Sequence, residues 1–112
     1  MKAAFCYVTC PNREDALGIA RALMTERLIA CANILPGMMS VYRWEGTVHE
    51  AEEVVLILKT RATLTERVTE RVRALHRYAC PCVAVLPVMG GNPDYLAWIQ
   101  AETVVEDLAS GA

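Results

Sequence analysis

An α+β sandwich, with helices laid against an antiparallel sheet, is the fold class this sequence predicts. Three observations carry it. Strand-like apolar runs alternate with two segments of helical periodicity, and a Glu-Gly dipeptide joins two of those runs as a hairpin turn. The chain is 112 residues long, which suits one domain over 1–112, since domains commonly run to about 100–150 residues.

Residues 2–10 are almost continuously apolar and rich in β-formers, as expected of a strand buried on both faces. Pro11-Asn12 interrupts the run. Asn12 then serves as N-cap for a helix from Arg13 to about Arg27, with Glu14 and Asp15 in its first turn and Ala16, Ile19, Ala20, Leu23 and Met24 along one face. Leu28 to Asn33 returns to β character. Pro36-Gly37 marks a bend or bulge, because Pro removes a ladder donor and Gly permits unusual dihedrals. Met38 to Trp44 resumes the strand, Glu45-Gly46 turns it, and Thr47 to Thr60 is the return arm. Thr63-Leu64-Thr65-Glu66 reads as a capping box opening a second helix that runs to about His76, with Leu64, Val68, Val72 and Leu75 inward. Tyr78 to Pro81 is a loop and Cys82 to Val88 a short strand. Asn92-Pro93-Asp94 starts a short third helix, with Leu96, Ile99, Thr103 and Val104 facing in. Residues 110–112 are expected to fray.

The resulting order, β-α-β-β-α-β with a short C-terminal helix, is the ferredoxin-like pattern of a four-stranded antiparallel sheet with two helices on one face. Two helices leave the other face bare. Yet 2–10 and 54–58 are apolar at odd and even positions alike, and apolar residues make up 54% of the chain. The bare face is therefore expected to meet something apolar, most simply other copies of the chain.

Charge narrows the function classes. Eleven basic and 13 acidic side chains leave a net charge of -2, and the arginines are spread along the chain, which argues against nucleic acid as a partner. No run approaches the ~20 apolar residues of a membrane span. Residues 1–8 loosely imitate a signal peptide, but Pro11-Asn12-Arg13-Glu14-Asp15 follows without a small-residue cleavage site. Five cysteines, an odd number, fit a reducing compartment, and the expected location is cytoplasmic. The chain has no glycine-rich phosphate loop, no nucleophile elbow and no H-E-x-x-H, so it is read as a non-enzyme.

Several segments are similar to one known family. Ala30-Cys31-Ala32-Asn33-Ile34-Leu35-Pro36-Gly37 followed by Ser40-Val41-Tyr42-Arg43-Trp44-Glu45-Gly46 resembles the signature of the CutA divalent-ion tolerance proteins. So do Leu56-Ile57-Leu58-Lys59-Thr60, His76-x-Tyr78-x-x-Pro81, Leu86-Pro87 and Tyr95-Leu96-x-Trp98. The resemblance runs in order from Thr9 to about Ile99. It implies a ferredoxin-like fold, a homotrimer with sheets facing inward, and tolerance of divalent ions, with copper bound by some members. The chain departs from the family at His76-Arg77-Tyr78-Ala79-Cys80-Pro81-Cys82, where His-Pro-Tyr-Glu-x-Pro-Glu is usual. Carboxylates are missing at Ala79 and Cys82, and two thiols stand nearby, a change that favours a softer ion such as Cu(I) or zinc.

Two sets of candidate residues follow. His76, Cys31, Cys80 and Cys82 are candidate ligands for copper or another divalent cation. Alternatively, His76 is a helix-end histidine bonded to a last-turn carbonyl, and the thiols are small apolar fillers. Asn33, Tyr42, Trp44, Lys59, Tyr78, Tyr95 and Trp98 could wall a cleft between subunits, or simply pack an interface. Lys59 either snorkels to solvent or pairs with a carboxylate. His49, Glu50, Glu52 and Glu53 read as a solvated acidic turn rather than a cation site. The leading expectation is a trimeric metal-binding tolerance protein. The alternative is a regulatory or scaffolding trimer that takes a small anion or protein partner in inter-subunit clefts. A thiol enzyme built on Cys80, Cys82 and His76 ranks last.

Overall fold

Residues 2–105 are described by the structure, a computed structural model; the tail expected to fray, 110–112, lies outside them. The elements run β1 (Ala3–Cys10), α1 (Arg13–Thr25), β2 (Cys31–Trp44), β3 (Thr47–Arg61), a 3-10 turn (Ala62–Leu64), α2 (Thr65–Leu75), β4 (Val83–Pro87) and α3 (Pro93–Glu102). The four strands form one sheet in the order β2-β3-β1-β4 with every pairing antiparallel, which is the ferredoxin-like arrangement.

Alternation along the strands sorts the residues into two faces. Cys6, Val8 and Cys10 pair with Leu58, Leu56 and Val54. They pack with Ile19 and Leu23 of α1 and Val68 and Val72 of α2 in the main core. The odd residues of β1 point the other way, and there α3 covers only one corner, with Ile99 and Leu96 against Ala3 and Phe5. Leu35 and Leu86, on that second face, remain about half exposed.

The local signals explain most boundaries. Asn12 caps α1 by accepting the Asp15 N–H at 2.8 Å, and Asn92 caps α3 by accepting the Asp94 N–H at 3.1 Å, with Pro93 in the first turn. Helix α1 stops at Thr25 rather than Arg27. Arg27 takes φ +57°, and the amides of Arg27 and Leu28 bond the carbonyls of Met24 and Leu23 in a Schellman-type close. The predicted capping box at Thr63 is corrected: Ala62 N–H is tied to the Lys2 carbonyl, a 3-10 turn intervenes, and α2 begins at Thr65 without a side-chain cap. Met24 and Leu75, predicted inward, are about two-fifths exposed, each in the last turn of its helix, at the end of its stripe.

The hairpin is longer than the sheet that supports it. Pairing between β1 and β3 ends at Cys10–Val54, so Met38–Trp44 and Thr47–Glu53 continue as a two-stranded ribbon. Glu45 and Gly46 turn it with φ of +50° and +79°, the double left-handed geometry of a tight hairpin. At its root Leu35 faces Val55 but Met38 faces Glu53, so Pro36 and Gly37 oppose Val54 alone in a β-bulge, with Gly37 at φ +81°. The bulge reverses the parity of β2. Before it the odd residues share the second face with Val55 and Ile57; after it Met38, Ser40, Tyr42 and Trp44 do. Met39, Val41 and Val48 are turned to the reverse of the ribbon and are 61%, 68% and 55% exposed.

Candidate functional site

Helix α2 ends at Leu75, and His76 leaves it with extended backbone. The loop 76–82 then folds back over the end of β1 and the root of the ribbon. Its first three side chains are each fixed. The His76 ring accepts the Tyr78 backbone N–H on Nδ1 at 3.0 Å and, with its proton on Nε2, donates to the Thr9 carbonyl at 2.7 Å. Arg77 grips Asp15 with two hydrogen bonds of 2.8 and 3.0 Å, and this guanidinium holds the Asp15 carboxyl below its ordinary range. The Tyr78 hydroxyl donates to Glu53 Oε2 at 3.0 Å. Burial, then the Glu53 bond, push the Tyr78 phenol up to about 12. Beyond these anchors, Cys80 and Cys82 carry free, exposed thiols.

Between loop and ribbon lies a cavity of about 570 Å3. Ser40, Tyr42 and Trp44 of the ribbon form one wall, and Tyr78, Cys80 and Cys82 of the loop the other; Thr9 and Glu53 also line it. The bulge at Gly37 is what aims the ribbon's polar and aromatic side chains to this side. Glu53 is only 7% exposed. Among the described residues its carboxylate has Tyr78 as its one hydrogen-bond donor, with no Lys, Arg or His in ion-pair contact.

The predicted site residues are thus distributed as follows. Of the candidate ligands, Cys80 and Cys82 share the cavity. The His76 ring has both nitrogens engaged by the backbone, to Tyr78 and to Thr9 in β1 rather than to the last turn of its own helix. Cys31 sits in β2 opposite Lys59, away from the loop thiols. Among the described residues, no three His, Cys, Asp or Glu side chains converge as metal ligands.

The aromatic set divides. Tyr42, Trp44 and Tyr78 line the cavity. Lys59, Tyr95 and Trp98 gather at the α3 end of the sheet, where Lys59 Nζ donates to the Tyr95 hydroxyl at 3.0 Å and stands 5.2 Å from the Phe5 ring centre. Tyr95 stacks on Trp98 at 5.7 Å. Exposed Asn33 lies between the two groups, opposite Ile57. Lys59 therefore meets phenol and aromatic faces, not a carboxylate.

Glu53 is the residue that sequence reasoning missed. It is not part of a solvated acidic turn: it falls in register with Val55 and Ile57, so strand parity places it on their face. That parity was available in the sequence. Cys6 and Cys10 differ in kind from the loop thiols, since burial pushes both up to about 11.

The fold and this site define a ferredoxin-like α+β protein with an overlong β-ribbon and, along one side of it, an aromatic cavity lined by a buried carboxylate and two free thiols. The model of the family described as CutA1 divalent ion tolerance protein matches residues 4–102, and the chain belongs to that family. The divalent-cation tolerance protein CutA of Thermus thermophilus is 46% identical over 96 residues, 86% of this chain and 93% of that protein. The chloroplastic protein CutA of Arabidopsis thaliana is 48% identical over 97 residues, 87% of this chain but 53% of that protein. The chain thus spans about half the length of that plant relative. The crystal structure of CutA1 from Oryza sativa is similar with a TM-score of 0.90 at 44% identity, covering 96% of this chain and 97% of that one.

Proposed function

We propose that this chain acts as a non-catalytic, cytoplasmic, trimeric cation-tolerance protein that holds copper, or another thiophilic divalent ion, on Cys80 and Cys82. The observation that carries the reading is the pair of free thiols, two residues apart, on a loop anchored by His76, Arg77 and Tyr78. Thiolates are the soft donors that copper and zinc prefer over oxygen. Two donors satisfy a linear Cu(I) ion; a four-coordinate ion would draw the rest from water or a second copy. Both nitrogens of His76 are committed, which leaves the neighbouring thiols without a general base and favours holding over catalysis.

Trimer formation is supported by the apolar surfaces left bare: the reverse of the ribbon and the part of the sheet that α3 does not reach. No helix among the described residues is long and apolar enough to cross a membrane. Five unpaired cysteines suit a reducing compartment such as the cytoplasm.

Titration calorimetry with anaerobic Cu(I), Cu(II) and zinc on the wild type and on Cys80→Ser/Cys82→Ser tests the ligand assignment. Tight Cu(I) binding that disappears in the double variant is expected. Equal binding by the two proteins would remove the thiols from the site.

A further inference from the structure

We propose that Cys80 and Cys82 form a reversible dithiol–disulfide couple: a low-molecular-weight disulfide oxidises them to a Cys80–Cys82 bond within one loop, and a thiol opens it again. The couple does not rest on the metal reading, although both use the same two sulfurs.

The first observation is spacing. Both thiols are free and exposed, and only Pro81 separates them. Two residue steps span about 7 Å between Cα atoms at full extension. A small bend therefore brings the pair into the range of about 4.4–6.8 Å that a disulfide bridges. The second observation is direction. A residue before proline is held extended, and along an extended chain residues two apart share a side. Cys80 and Cys82 accordingly both border the space between loop and ribbon, and Pro81 does not.

The third observation is place. The loop runs from α2, in the helix layer, to β4, the edge of the sheet. Its start is fastened to α1 through Arg77 and Asp15. The pair thus stands at the rim of the sandwich, not on the bare apolar face expected to meet other copies. Residues 79–82 belong to no helix or strand, and β4 pairing begins only at Val83 with Val8. The loop can close on itself without breaking a ladder bond. The remaining cysteines are set apart: Cys6 and Cys10 are buried and pushed up to about 11, and Cys31 lies in β2 opposite Lys59.

The chemistry is two exchanges in series. One cysteine thiolate attacks a sulfur of the entering disulfide, joins to it and expels the first thiolate. The other cysteine, held two residues away, attacks the mixed disulfide and expels the second. One S–S bond is broken and one made. Two electrons pass to the entering disulfide, and the two cysteine protons reach the released thiolates through solvent. Exchange of this kind is stoichiometric and asks for no base from His76. Exposed disulfides are readily reduced, so the closed form is expected only when the surrounding disulfide-to-thiol ratio rises. A closed pair offers no thiolate to an ion; that consequence alone rests on the metal reading.

The test uses the metal-free, assembled protein, with oxidised glutathione as the probe. After acid quenching, alkylation and tryptic digestion, residues 78–112 form one peptide whose only cysteines are Cys80 and Cys82. Mass spectrometry is expected to find it two hydrogens lighter, closed to alkylation and free of glutathione. Reduced glutathione should restore both thiols. Cys80→Ser and Cys82→Ser should each carry a glutathione adduct in place of the closed form, having no second thiol to expel it. An adduct that persists in the wild type, a bond joining peptides of two chains, or closure only after unfolding in urea would overturn the proposal. Cu(I) calorimetry on the reduced protein keeps the two readings apart. Tight binding without closure strikes the couple and leaves the metal reading; closure without binding does the reverse.

Discussion

Replacing His76 with alanine removes two hydrogen bonds at once, and it separates a positioning role from a ligand role. The ring bonds the Thr9 carbonyl at 2.7 Å and the Tyr78 amide at 3.0 Å, and it packs on the Tyr78 ring at 4.8 Å. At a net contribution of about 1 kcal/mol for each bond, plus about 0.5–1 kcal/mol for the ring pair, the loss is about 2–3 kcal/mol. With a urea dependence of about 2 kcal/mol/M, the unfolding midpoint should fall by about 1 M, measured at one fixed protein concentration because assembly shifts it. Cu(I) affinity should change much less, because the thiols remain. The loop start is then held only by Arg77–Asp15 and Tyr78–Glu53. An unchanged midpoint together with a tenfold or greater loss of Cu(I) affinity would refute the positioning role and return His76 to the metal.

Three further expectations follow from the same contacts. Buried Arg61 donates to the Thr103 hydroxyl at 2.9 Å and to the Thr103 and Gln100 carbonyls. Arg61→Met leaves the Thr103 hydroxyl and carbonyl at the end of α3 without this donor; it should cost about 3 kcal/mol and speed amide exchange in α3, whereas unchanged protection there would show that Arg61 does not fasten the helix. Alkylation at neutral pH should label Cys80 and Cys82 quickly, while Cys6 and Cys10, raised to about 11 by burial, react only on unfolding; rapid labelling of all five cysteines would contradict the packing. The Tyr78 phenol is raised from 10.0 to about 12, so the fold favours its neutral form. That contribution is whole below about pH 10 and is lost as pH climbs toward 12. Tyr78→Phe should therefore lose less stability over that interval than the wild type, and parallel losses would show that burial and the Glu53 bond do not raise the phenol.

The fold was legible because its signals are local. Asn12 and Asn92 sit at helix starts, Glu45-Gly46 turns a hairpin, and two stripes of helical spacing separate the strands. Pro36-Gly37 was legible as an irregularity, but its consequence was not. A bulge changes which side chains share a face, and that depends on where the partner strand places its own residues, here Glu53 opposite Met38. The candidate site was read in pieces for the same reason. Cys80 and Cys82 are neighbours in sequence and remain so in space. Tyr42, Tyr95 and Trp98 looked like one aromatic set, yet they lie at two ends of the sheet, because α3 returns to the corner formed by Ala3 and Phe5. Glu53 was hidden by its company: two adjacent glutamates suggest solvent, although alternation with Val55 and Ile57 already sets Glu53 on their face. His76 looked like a ligand because its type is chemically versatile, and nothing in the sequence announced the two backbone groups it satisfies.

The ribbon that leaves Met39, Val41 and Val48 bare and the sheet face that α3 covers only at a corner are most simply explained by other copies of the chain lying on them. Light scattering during size-exclusion chromatography measures this directly. Three chain masses are expected, persisting on dilution, with a fall to one mass when Met39 and Val41 are both changed to glutamate. A single-chain mass for the unaltered protein at every concentration would contradict it.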